Sequence, residues 1–183
     1  MQINSGALSG LETKFIALDR KGASGAEIGG YASHFGVADQ NGDVVEAGAF
    51  AASLKRLARE NRTVKLLWQH DPSAPIGVWD SVTEDRVGLS VRGRLLTEIA
   101  RGAEAAALLA AGAVDGLSIG YRTVRAERAG AGRRLIELDL WEVSLVTFPM
   151  LPSARASTQA PNPEADIARE LAEALRGARE TLM

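Results

Sequence analysis

The sequence predicts a mainly β (α+β) fold: an antiparallel sheet closed or nearly closed into a barrel, with helices packed outside it. Roughly seven or eight stretches alternate or run apolar as strands do. Only about three carry the 3.6-residue period of an amphipathic helix. The strands mostly follow one another, whereas a parallel sheet of βαβ units would alternate them with helices.

Taken in order, residues 1–13 form a loose leader with no apolar pattern. KFIALDR (14–20) and EIGGYASHF (27–35) alternate as strands around the Gly-rich turn GASG (22–25). DQNGD (39–43) is a turn that begins like a calcium loop. The twelfth position from Asp39 is Phe50, where a bidentate Glu is needed, so calcium is not expected. In AFAASLKRLARENR (49–62), Phe50, Leu54 and Leu57 have helical spacing. TVKLLWQH (63–70) is a strand that puts Val64, Leu66, Trp68 and His70 on one face by period two. Pro72 and Pro75 should end it. IGVWDSV (76–82) and VGLSVRGRLL (87–96) are two more strands. Thr97 can cap a helix over 98–111, which Gly112 would terminate. The extended stretches 113–127 and 133–148 flank the hairpin loop AGAG (129–132), the second broken or bent near Asp139–Leu140. APNP lies in a linker, 157–163, and 164–183 has the Ile167, Leu171, Leu175, Ala178, Leu182 stripe of a helix.

Composition excludes several functions. The 183 residues suffice for one domain with a real core. A net charge of −2 provides no field for nucleic acid or an anionic membrane. The absence of cysteine removes disulfides, thiolate metal sites and cysteine nucleophiles. MQINSGALSG has neither the basic nor the apolar segment of a signal peptide, and the alanine-rich stretch near 105–114 is too short to span a bilayer. A cytoplasmic or particle-enclosed protein is expected.

GLSIG (116–120) is a literal G-x-S-x-G, the pattern around many nucleophilic serines. The α/β-hydrolase form of that motif needs a histidine after the serine. His34 and His70 both precede Ser118, which also lies inside an extended run rather than at a strand-to-helix elbow. That fold is rejected; serine chemistry is not. His70, at the end of an apolar strand and before a Pro-rich turn, can be the base. Asp71 is a poor orienter for it, because neighbouring strand residues point to opposite faces. Glu142 is better: it shares a face with Ser144 and Val146 in the apolar run LWEVSLV, where an unpaired carboxylate is costly. Plainer roles stand beside these. Ser118 can be a packing or bulge residue, His70 and His34 structural, and Glu142 the partner of Arg122 or Arg134 across the sheet.

Several blocks in fixed order resemble the tailed-phage prohead proteases, a family also found in gene transfer agents and distantly similar to the herpesvirus assembly proteases. They are GYASHFGVADQNGDVVEAGAF (30–50), VKLLWQHDPSAPIGVW (64–79), GLSVRGRL (88–95), GAVDGLSIGY (112–121) and LWEVSLVTFPMLPSA (140–154). The resemblance implies a herpesvirus-protease-like barrel over 14–156 and a serine endopeptidase with His70 as base, Ser118 as nucleophile and Glu142 as third member. The herpesvirus relatives use a second histidine at that third place; none lies downstream here, which supports a carboxylate. Arg122 is the candidate for the relatives' oxyanion-assisting arginine. No cofactor or metal is implied. The implied partners are the major capsid protein or scaffold as substrate, with self-processing and a homo-oligomer compatible, and no nucleic acid or membrane. The implied place is inside the procapsid, in the host bacterium's cytoplasm. The rival is a non-catalytic scaffold or docking barrel, in which the same residues are structural.

Overall fold

The computed structural model describes residues 12–17, 27–130 and 132–148. The expected linker and C-terminal helix, and the GASG turn, lie outside the described residues. The elements are β1 (Glu12–Ala17), β2 (Glu27–His34), β3 (Val44–Val45), α1 (Ala51–Arg59), β4 (Lys65–Trp68), β5 (Asp71–Glu84), β6 (Gly88–Leu95), α2 (Ala100–Ala110), β7 (Gly116–Ala129) and β8 (Gly132–Val146). The strands form a single path, β1-β7-β8-β4-β5-β6-β2, with β3 added to β8. The sheet curls until Cα atoms of its two end strands, β1 and β2, come within 8 Å. No strand pairing joins them among the described residues. The fold is therefore mainly β, a curled sheet with two helices.

The sheet is not purely antiparallel. β8 runs parallel to β3 and to β4, because a long excursion through β5, β6, α2 and β7 returns the chain beside β4 in its own direction. Between those two partners the edge of β8 is closed by α1. Leu138 N–H donates to Ala49 O (2.9 Å) and Leu140 N–H to Ser53 Oγ (3.0 Å), so a helix N-terminus satisfies donors that a strand would otherwise take.

Other expectations are corrected in detail. Pro72 and Pro75 do not precede the strand but lie within β5, whose pairing with β6 starts only at Gly77. Thr97 does not cap α2; Ile99 precedes the helix in extended conformation with no side-chain cap, while Gly112 ends it at φ 72° as expected. Residues 132–146 are one strand, bent where Gly120 pairs with Glu142 but Tyr121 pairs with Leu140. The skipped residue, Trp141, is a bulge whose side chain swings out to 46% exposure.

The core lies inside the curl. Leu117, Ile119 and Tyr121 of β7 and Leu138, Leu140, Val143 and Leu145 of β8 meet Leu66, Ile76, Trp79 and Val91 from the neighbouring strands, all buried. Phe50 and Leu57 bring in the α1 region, Ala105 and Leu109 bring in α2. The start of β7 is buried on both faces, Gly116 through Tyr121. One face is the apolar core. The other holds serines and a carboxylate, and that asymmetry positions the site.

The DQNGD turn is held by its own carboxylates. Asp39 Oδ1 accepts from Asn41 N (2.9 Å) and Asp43 N (2.8 Å), while Asp43 binds the Arg133 guanidinium at 2.6 Å. His34 ends β2 with its ring 5.3 Å from that of Tyr31.

Candidate active site

β7 and β8 pair Ser118 with Ser144 and Gly120 with Glu142. Alternation puts Ser144 and Glu142 on one face of β8. A Cβ on Gly120 would meet the Glu142 side chain, so Gly120 and Ser118 share that face. Ser118, Glu142 and Ser144 are all buried there, Ser118 and Ser144 at 0% exposure and Glu142 at 4%.

His70 reaches the same face by a route its strand pattern does not show. It is not the last residue of β4, and so does not share the face of Val64, Leu66 and Trp68. β4 stops at Trp68, which pairs with Asp71, leaving Gln69 and His70 as a two-residue hairpin loop. Both have positive φ, 50° and 62°, the backbone of a type I′ turn. Such conformations strain non-glycine residues. Here the loop is fastened to β8 and the residue beyond it: Gln69 N–H to Leu145 O (3.0 Å), Gln69 Nε2 to Thr147 Oγ1 (2.6 Å) and His70 N–H to Ser144 Oγ (3.1 Å).

From that loop the imidazole turns to Glu142, with Nδ1 2.6 Å from Oε1. A carboxylate accepts from an N–H, so this contact suits the neutral tautomer with the proton on Nδ1, the one that leaves the lone pair on Nε2. Nε2 is buried. The second carboxylate oxygen, Oε2, accepts from Ser144 Oγ at 2.6 Å. The two facing serines thus differ. Ser144 has donor and acceptor committed, to Glu142 and to His70 N–H. Ser118 Oγ is buried with no hydrogen-bond partner among the described residues. A buried hydroxyl so placed costs free energy unless something else recovers it. A hydroxyl kept available for reaction would be left so.

The plainer roles for Glu142 do not hold. Arg122 bonds Asp139 Oδ2 (3.2 Å) and Arg134 bonds Glu46 Oε1 (2.7 Å). Nor does Asp71 approach the imidazole: its carboxylate takes the N–H (2.8 Å) and hydroxyl (2.6 Å) of Ser73, which hold its pKa down. The Arg122 assigned by resemblance to the oxyanion is bound to Asp139. Sequence reasoning missed Ser144 and Gly120. Period two from Glu142 pointed at the first, and a glycine inside a buried strand pointed at a close approach for the second.

Asp139 anchors the neighbouring stretch of the site. Burial alone would raise its carboxyl pKa, but the Trp141 side chain and the guanidiniums of Arg56 and Arg122 outweigh it and lower it. A depressed folded-state pKa stabilises the protein above the unfolded carboxyl value of about 3.9, and that stability is lost as pH falls through the lower folded value. Asp139→Asn should therefore cost about 1–3 kcal/mol near pH 7. Thermal melts of both proteins should show the gap closing as pH falls from about 5 towards 3. A gap that widens in acid would contradict the assignment.

The buried Ser118 and the Glu142–His70 pair lie on one face of the curled sheet, and no hydrogen bond joins Ser118 Oγ to the imidazole. The chain belongs to the caudovirus prohead serine protease family, whose model matches residues 13–166. It is 36% identical over 124 residues to the prohead protease of Enterobacteria phage HK97. The match takes in 66% of this chain and 54% of that protein, so the chain spans about half the length of its curated relative. Among solved structures it is similar to the bacteriophage T4 capsid assembly protease gp21, with a TM-score of 0.61 at 15% identity, over 76% of this chain and 98% of that one. At that identity the likeness speaks to the fold.

Proposed function

We propose that this protein is a serine endopeptidase that matures phage-type procapsids by cutting scaffold, or the scaffolding segment of the major capsid protein. Membership of the family supports the class of activity. The observation that carries the residue assignment is the Glu142–His70 contact on the face of a buried serine with no hydrogen-bond partner among the described residues. In this reading His70 Nε2 takes the Ser118 proton as Oγ attacks the substrate carbonyl carbon. Glu142 holds the ring in the required tautomer and stabilises the imidazolium. The imidazolium then protonates the leaving amine, and water, deprotonated by the same nitrogen, hydrolyses the acyl-enzyme. The near approach of β1 and β2 supports a nearly closed barrel; that it is of the herpesvirus-protease kind rests on the sequence resemblance alone. The site of action would be the procapsid interior in the host cytoplasm, with self-processing as a second outcome of the same chemistry.

The test is intact-mass analysis after mixing the full chain with the capsid protein of the same particle, scaffolding segment included. New fragments summing to the substrate mass plus one water per cut are expected, and cuts within the protease itself would show self-processing. Unchanged masses for both proteins, from a folded sample, would favour the non-catalytic scaffold barrel.

A further inference from the structure

Two residues outside the serine–histidine–carboxylate set fix where both oxygens of Glu142 lie. Ser144 Oγ donates to Oε2 (2.6 Å) and at the same time accepts the His70 backbone N–H (3.1 Å). One hydroxyl therefore ties the carboxylate to the backbone of the residue it must orient. That backbone has φ 62° and needs such a tie to stay in place. Gly120 acts from the facing strand. A Cβ there would sit 2.0 Å from Glu142 Oε1 and 2.7 Å from its Cδ. Oε1 is the oxygen that meets His70 Nδ1, so it occupies the space any other residue would fill. Moving the carboxylate away would also move it off the imidazole.

We propose that Ser144 and Gly120 are positioning residues of this site: Ser144 couples the His70 loop to Glu142, and Gly120 vacates the place where the imidazole-binding oxygen rests. The proposal rests on the assignment of His70, Ser118 and Glu142 above. Neither residue is placed to touch substrate. The Ser144 hydroxyl is engaged as donor by Glu142 and as acceptor by the His70 N–H, and Gly120 has no side chain. Their loss should therefore lower kcat and leave KM alone.

Two readouts separate positioning from general stability and from the cleavage reading itself. The first is the downfield proton resonance of the imidazole Nδ1–H bound to a carboxylate, recorded on the full-length protein without substrate. The second is steady-state cleavage of the capsid scaffolding segment. Ser144→Ala should weaken or shift the resonance and lower kcat about 10–100-fold, the worth of a hydrogen bond to a charged group, with KM within about twofold. Ser144→Thr, which keeps the hydroxyl, should recover most of both. Gly120→Ala should abolish the resonance and lower kcat at least as far. An unchanged resonance and kcat in Ser144→Ala or Gly120→Ala would overturn the proposal. So would a loss expressed in KM alone. If wild type shows the resonance but cuts nothing, the cleavage assignment fails, while the resonance in the variants still decides whether these residues position Glu142.

Discussion

Ser118→Ala is expected to abolish cleavage, by about 10⁴–10⁶-fold in kcat, while leaving the protein as stable as before or more so. The two halves have one cause. The hydroxyl is fully buried and has no hydrogen-bond partner among the described residues, so the folded state bears its desolvation with nothing in return from them. Alanine keeps the backbone pairing to Phe15 and Ser144 and removes that cost. A gain of up to about 1–2 kcal/mol is in range, worth roughly 2–4 °C per kcal/mol in a chain of this size. Ser144→Ala should do the reverse and lower the melting temperature, because its hydroxyl serves two partners. Melting curves of the two variants, run beside intact-mass cleavage assays, test both halves. If Ser118→Ala still cuts near the wild-type rate, Ser118 is not the nucleophile.

Glu142→Gln should come next in size, a loss of about 10³–10⁴-fold in kcat with little change in fold. The amide has the carboxylate's shape but can accept at only one atom. Ser144 presents an O–H to one position, and the amide oxygen satisfies it. The NH₂ then points at His70 Nδ1, 2.6 Å from the other position in the wild type. That nitrogen must accept, so the ring proton moves to Nε2, where the base needs a lone pair. The flipped amide restores the tautomer but sets its NH₂ against the serine hydroxyl, which must then abandon its role as donor. Either way the imidazolium formed in the reaction faces no negative charge. Activity of the purified variant on the scaffolding segment measures the loss. Retention within tenfold would remove Glu142 from the set and reopen the search for a carboxylate.

The three candidate site residues stood out in the sequence for chemical reasons. Glu142 stood out because a carboxylate inside LWEVSLV must be paired, and His70 because the chain has two histidines. Strand existence was legible from alternation, and β2, β6, β7 and β8 are close to their expected spans. What sequence could not give was anything set by register. The two-residue turn at Gln69–His70 contains no Asn-Gly or Gly, so nothing local announces positive φ. The tertiary bonds to β8 impose it. Val44–Val45 is too short a strand to show a period. The parallel pairing of β4 with β8 joins segments whose order in the chain says nothing about direction. The committed hydroxyl of Ser144 and the space over Gly120 exist only once β7 and β8 are aligned.

The burial of Ser118 also governs timing. On the proposed assignment, a peptide carbonyl cannot approach an oxygen that has no accessible surface, so acylation would follow an opening step. The observed rate is then the intrinsic rate multiplied by the open fraction, and each 1.4 kcal/mol that favours closure slows cutting about tenfold. Anything that binds the open form, a substrate strand or an assembled shell, would accelerate cleavage without touching the chemistry. The sequence has no cysteine, so Ser118→Cys would carry its only thiol, and the rate of labelling by a thiol-selective reagent would report the open fraction. On that assignment, latency would be a property of the resting fold.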